Sequence, residues 1–147
     1  MAYPKRVALA ADHAGFPLKE QVKEYLISKG VDTVDVGTFS TEPVGYPAII
    51  RKGCGVVLEQ NCPGIVFGGS GNGEAMAANK VRGIRAALCY NKESTQLARE
   101  HNNANVMSIG ARLTDANIAL SLVDIFLTTD YEGGRHDARI NDLDTYE

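Results

Sequence analysis

Acids, histidines and glycines gather at a few places in this 147-residue chain, in combinations that can move protons or hold an anion. The densest is Gly68-Gly69-Ser70-Gly71-Asn72-Gly73-Glu74. Glycines this close together let backbone N–H groups approach an oxyanion where a helix begins, and Glu74 stands at the end of the loop as an acid or base. The two-residue glycine spacing is not the G-x-G-x-x-G of dinucleotide binders, and no Lys-Ser or Lys-Thr pair follows as in a phosphate-binding P-loop, so nucleotide binding is disfavoured. A plain tight turn, with Glu74 favouring the helix dipole, explains the composition equally well.

Asp12-His13 is a second candidate, an acid and an imidazole that could also be a turn residue and a surface histidine. His101-Asn102-Asn103 could be a functional group near the ligand edge, or a helix end capped by His101, with Asn102 or Asn103 as the αL residue that stops it. Arg112 is either an anion contact or a solvated cation. Arg135 and Arg139, four apart, suit a phosphate with two guanidinium forks, or ion pairs with Glu132 or Asp142. The three histidines are isolated in sequence and show no metal-ligand spacing, so no metal site is expected. Cys54 and Cys89 lie in apolar surroundings and read as packing residues rather than nucleophiles.

Positioning these groups requires a scaffold. Apolar runs at Val7–Ala11, Thr33–Val36, Gly64–Phe67, Arg85–Cys89 and Val106–Ile109 alternate with segments of helical period, which predicts five βα units around a parallel sheet. Helices are expected from Pro17 to the stop at Gly30, around Ile49–Leu58, over Ala75–Lys80, around Lys92–His101 and over Asp115–Leu127; Gly53 and Gly55 weaken the second. The fold class is α/β, a three-layer α/β/α sandwich with a five-stranded parallel, Rossmann-like sheet and a polar C-terminal helical tail. Ligands of such sheets bind beyond the carboxyl ends of the strands, where Asp12-His13, the glycine loop and Arg112 fall. His101, at the end of a helix, points to the opposite side, a mismatch that needs a cause.

Size and composition narrow the function classes. At 147 residues and 44% hydrophobic, the chain makes one domain, 1–147. Fifteen basic against 18 acidic residues, net −3, argue against nucleic acid or a membrane surface as partner. No apolar stretch reaches bilayer length and no signal peptide is seen, while three dispersed cysteines suit a reducing compartment; the expected location is the cytoplasm.

Taken in order, Ala10–Phe16, Gly68–Glu74 with Ala77–Lys80, Arg99–Val106, Ile109–Arg112 and Tyr131–His136 resemble the ribose-5-phosphate isomerase B family along nearly the whole chain. The resemblance implies an aldose–ketose isomerase that interconverts ribose 5-phosphate and ribulose 5-phosphate through an enediolate, without metal or organic cofactor. It also implies a homodimer or tetramer with active sites between subunits, residues 131–147 packing on a neighbour. Many members carry a catalytic cysteine just before the glycine loop, where this chain has Gly68. It is similar instead to the subgroup with serine and glutamate in the loop, which makes Glu74 the base with Ser70 beside it. His101 with Asp12 would open the sugar ring. Asn102, Tyr46 and the loop residues Gly69, Gly71, Asn72 and Gly73 would contact the sugar or its oxyanion, and His13, Arg112, Arg135 and Arg139 the phosphate. Gly45 replaces an acid found in many relatives, which leaves six-carbon substrates such as allose 6-phosphate or galactose 6-phosphate as an alternative. A non-catalytic sugar-phosphate-binding subunit is the reading from another class.

Overall fold

The computed structural model describes residues 2–146. Strands β1 (Arg6–Ala11), β2 (Asp32–Asp35), β3 (Gly64–Gly68), β4 (Ala86–Leu88) and β5 (Val106–Gly110) alternate with helices α1 (Phe16–Ser28), α2 (Tyr46–Gln60), α3 (Asn72–Asn79), α4 (Lys92–Glu100) and α5 (Ala116–Thr128). A short 3₁₀ turn at Gly134–His136 leads into α6 (Asp137–Thr145). All strand pairs are parallel, in the order β2-β1-β3-β5-β4. The expected α/β sandwich is therefore the observed one.

The period of two along each strand divides the core. Val7, Leu9, Ile65, Phe67, Met107 and Ile109 pack against α1, α4 and α5, whereas Ala8, Ala10, Val66 and Val106 pack against α2 and α3. The small residues on the second face let α2 come close: a Cβ on Gly53 would lie 2.9 Å from that of Ala10. Gly53 thus weakens helix propensity in exchange for close helix–sheet packing. Two helices start earlier than the apolar pattern suggests, α2 at Tyr46 with Pro47 in its first turn, and α3 at Asn72. No described helix is long and apolar enough to cross a membrane.

Successive strands run out to opposite sides from the β1–β3 pair, so the topological switch point lies between their carboxyl ends. Asp12 follows β1 there, and the glycine loop follows β3.

Candidate active site

The glycine loop is held by β5 and by its own side chains. Gly71 adopts φ +82, which favours glycine, and its carbonyl accepts a hydrogen bond of 2.7 Å from the buried Ser108 hydroxyl on β5. A Cβ on Gly110 would lie 2.4 Å from the Ser70 carbonyl oxygen, so β5 and the loop touch backbone to backbone. The Ser70 hydroxyl accepts from the Asn72 N–H at 3.2 Å as α3 begins. Ser108 is a site-supporting residue that sequence reasoning missed; a lone serine in an apolar strand is the only sign of it.

Glu74, in the first turn of α3, turns its carboxyl back under the loop and is 4% exposed. A Cβ on Gly68 would lie 2.0 Å from Glu74 Oε1, so the carboxyl fills the space a side chain at 68 would need. Burial pushes the Glu74 carboxyl up to about 7; its own backbone N–H opposes the rise, and the hydrogen-bonded carboxyl of Asp12 adds to it. Asp12 is also buried and accepts from the Gly15 N–H at 2.9 Å. The two carboxyls are hydrogen-bonded to one another.

Around this pair lie groups suited to a phosphorylated sugar. The Arg112 backbone N–H donates to the Gly69 carbonyl at 3.0 Å, and its guanidinium crosses the loop, Nη1 standing 3.3 Å from where a Gly69 Cβ would be. His13 Nδ1 accepts from the Val44 N–H at 3.1 Å, which leaves Nε2 free to donate to an anion. Tyr46 lays its phenol against Gly73, 2.6 Å from a Cβ placed there. The segment that follows β2 is anchored at Asp35, which accepts from the Gly37 N–H and from the fully buried Lys19 ammonium at 2.6 Å.

The chain matches the ribose/galactose isomerase family model over residues 7–143. It belongs to the ribose/galactose isomerase family. It is 47% identical over 145 residues, 97% of this chain and 91% of the relative, to ribose-5-phosphate isomerase B of Mycolicibacterium paratuberculosis. Among solved structures, a ribose 5-phosphate isomerase from Thermotoga maritima superposes with a TM-score of 0.92 at 46% identity, over 95% of this chain and 97% of that one. The Mycoplasma genitalium ribose-5-phosphate isomerase B with bound ribulose-5-phosphate gives 0.92 at 35% identity, over 96% and 95% of the two chains.

The remaining residues singled out in this family member form a second group. His101 caps the end of α4, which runs back from the carboxyl edge of the sheet to its amino edge. That edge is marked by Arg85, which donates to the carbonyls of Asn102 and Asn103, and by the Gly64 N–H, which donates to Asn105. Four steps of about 3.3 Å each carry β3 from Gly64 to Gly68, so the edge that holds His101 stands roughly 13 Å along the sheet from the loop. No hydrogen bond, ion pair or ring contact among the described residues joins the two groups.

The C-terminal tail joins the second group instead. The Glu132 N–H donates to the Glu100 carbonyl at 3.0 Å, and the His101 and His136 rings stack with centroids 4.3 Å apart. Two of the three histidines are thus neighbours, which corrects their reading as isolated; 35 residues of chain hid the contact. Burial and the charge of Arg135 lower the His136 imidazole below its ordinary value. Arg135 lies in the 3₁₀ turn and Arg139 in α6, both exposed and neither in an ion pair among the described residues, so the pairing with Glu132 or Asp142 does not form. Cys54 and Cys89 are buried packing residues, and burial pushes both thiols up to about 11.

Proposed function

We propose that the chain interconverts ribose 5-phosphate and ribulose 5-phosphate, with Glu74 as the base that carries the proton. The observation that carries this reading is a buried carboxyl, pushed up to about 7, beneath a loop of backbone amides at the switch point of the sheet. A base that must accept a proton from one carbon and return it to the next works best with a pKa near the working pH. In the open-chain aldose, Glu74 takes the proton from carbon 2 and electrons move onto the carbonyl oxygen, giving the enediolate. A hydroxyl proton passes between the two oxygens, and Glu74 returns its proton to carbon 1. The N–H groups from Gly69 to Glu74, with Ser70 and Asn72, steady the negative oxygen as it forms.

Ring opening precedes transfer, and His101 with Asp12 is the pair assigned to it, while Asn102 and Tyr46 bind sugar hydroxyls. His13 and Arg112 hold one side of the phosphate. Each step uses side chains and backbone of the protein alone.

His101, Asn102, Arg135 and Arg139 cannot reach the Glu74 of their own chain across the length of the sheet, so a second copy supplies them. That separation supports a homodimer, or a tetramer built from such dimers, with composite sites at the interface. Residues 1–147 then act as one domain, with 131–147 packing on the neighbour. The exposed, unpaired arginines and the absence of buried residues in α6 support the same assignment.

The direct test is the Glu74→Gln variant assayed for aldose–ketose conversion and for exchange of solvent deuterium into the sugar phosphate. A loss of roughly 10²–10⁴-fold in kcat for both is expected from removing the base. Turnover like that of the unaltered protein would refute it. A panel of five- and six-carbon sugar phosphates ranks the substrates by kcat/KM, ribose 5-phosphate being expected first.

A further inference from the structure

The tail and the end of α4 place three metal-ligating side chains together. His101 Nε2 and His136 Nε2 lie 3.8 and 3.6 Å from the same Glu132 carboxylate oxygen. All three donor atoms fall within 4.8 Å of one another. His136 is 94% buried, and its Nε2 has no hydrogen-bond partner although it is shielded from solvent. A buried ring nitrogen left without a partner is costly, and a group that completes it stabilises the site.

We propose that His101, Glu132 and His136 form a binding site for a late first-row divalent cation such as Zn²⁺, and that its occupation blocks sugar ring opening. Two imidazoles and one carboxylate are the donor set of open zinc sites, with bonds of about 2.0–2.2 Å that put neighbouring donors roughly 3.3 Å apart. The two histidine–carboxylate separations need to close by only a few tenths of an ångström, and the two imidazole nitrogens, which lie within 4.8 Å, by up to about 1.5 Å. The two rings lie within 20° of parallel, so their lone pairs do not yet converge. His136 is the fixed ligand; His101 at the helix end and Glu132, 35% and 45% exposed in the single chain, are the side chains that turn toward it. Arg135 and Arg139 flank the cluster with positive charge. Only a cation that bonds tightly to nitrogen overcomes that repulsion, which excludes Mg²⁺ and Ca²⁺ with their need for many oxygen ligands.

Because the cation takes the lone pair of His101 and turns its ring, it removes the acid/base group. This consequence rests on the assignment of His101 to ring opening; the site itself does not.

The test is a titration of the chelator-treated, full-length protein with Co²⁺, read by visible absorption, followed by Zn²⁺ competition. About one Co²⁺ per chain with a tetrahedral band, displaced by Zn²⁺, is expected. Glu132→Gln and His136→Asn should each weaken binding at least about tenfold. Glu132 is exposed, so its variant retains the fold, which circular dichroism checks. No saturable band, or equal binding by Glu132→Gln, overturns the site. In parallel, turnover in chelator should fall on adding Zn²⁺ and return on its removal; Zn²⁺ bound at full turnover overturns the blocking role. Absorption does not depend on catalysis, so a protein inactive in chelator that still binds Co²⁺ supports the site and refutes the isomerase reading instead.

Discussion

The two halves of the candidate site differ in how they are made. Glu74 and Asp12 sit inside the fold, their positions dictated by β1, β3 and the packing of α3, and burial sets the Glu74 pKa. His101, Arg135 and Arg139 sit at the other edge of the sheet or on its tail, half exposed or fully exposed, and reach outward. Proton transfer needs a dry, rigid environment that shifts a pKa, and the core supplies one. Gripping a dianionic phosphate needs charges that stay ionised in the free chain and lose water only on binding, which a surface supplies. In the proposed dimer, assembly brings the second kind of group to the first.

The largest expected effect tests whether the halves belong to different chains. Glu74→Gln and His101→Asn are each expected to be nearly inactive, and mixing them after dissociation and reassembly should restore about a quarter of wild-type activity. Half of randomly paired dimers are mixed, and each mixed dimer keeps one intact site. Activity that stays at the level of the separate variants would break the contrast, because it would place both halves in one chain.

Next in size is an effect confined to the core half. Gly68→Ala puts a methyl group 2.0 Å from Glu74 Oε1 and within 2.3 Å of the rest of the carboxyl. The carboxyl has to leave its position, and a displaced base costs on the order of 10²-fold in kcat. Phosphate binding involves none of these atoms, so KM should stay within a few-fold. Steady-state kinetics on the purified variant separates the two, and an unchanged kcat would show that the carboxyl has other room.

The contrast also bears on what was legible in the sequence. The strands were, because apolar runs such as Val7–Ala11 and Gly64–Phe67 are bounded by glycines and polar turns, and so were the sheet edge that carries Asp12 and the loop. The role of Gly68 was only half legible. Its difference from the cysteine type could be read from the chain, but the reason, that the Glu74 carboxyl occupies that space, depends on how α3 turns back under β3. Tyr46 against Gly73 and Ser108 beneath Gly71 are likewise contacts across 27 and 37 residues, with no local period to announce them. The stacked His101 and His136 were the least legible of all. They meet only because the backbone of Glu132 is tied to Glu100, a tertiary contact that no spacing rule contains.

The smallest effect is thermodynamic and should appear in the core half alone. The folded-state pKa of Glu74, about 7, lies above its ordinary value of 4.5, so between those values the native state holds a proton that the unfolded chain has released. The stability this contributes is fully present below the unfolded value and is gone once the pH has risen through about 7. A glutamine is neutral throughout and can donate to Asp12 as the protonated acid does. The Glu74→Gln variant should therefore gain on wild type as the pH rises from 5 to 8, by at most about 3 kcal/mol, in urea midpoints measured at one protein concentration. Arg135→Ala, which removes an exposed and unpaired cation, should show no comparable trend. A flat difference for Glu74→Gln would mean that the carboxyl is ionised in the free enzyme without penalty, and the core half would then have no stronger claim on the proton than the surface half.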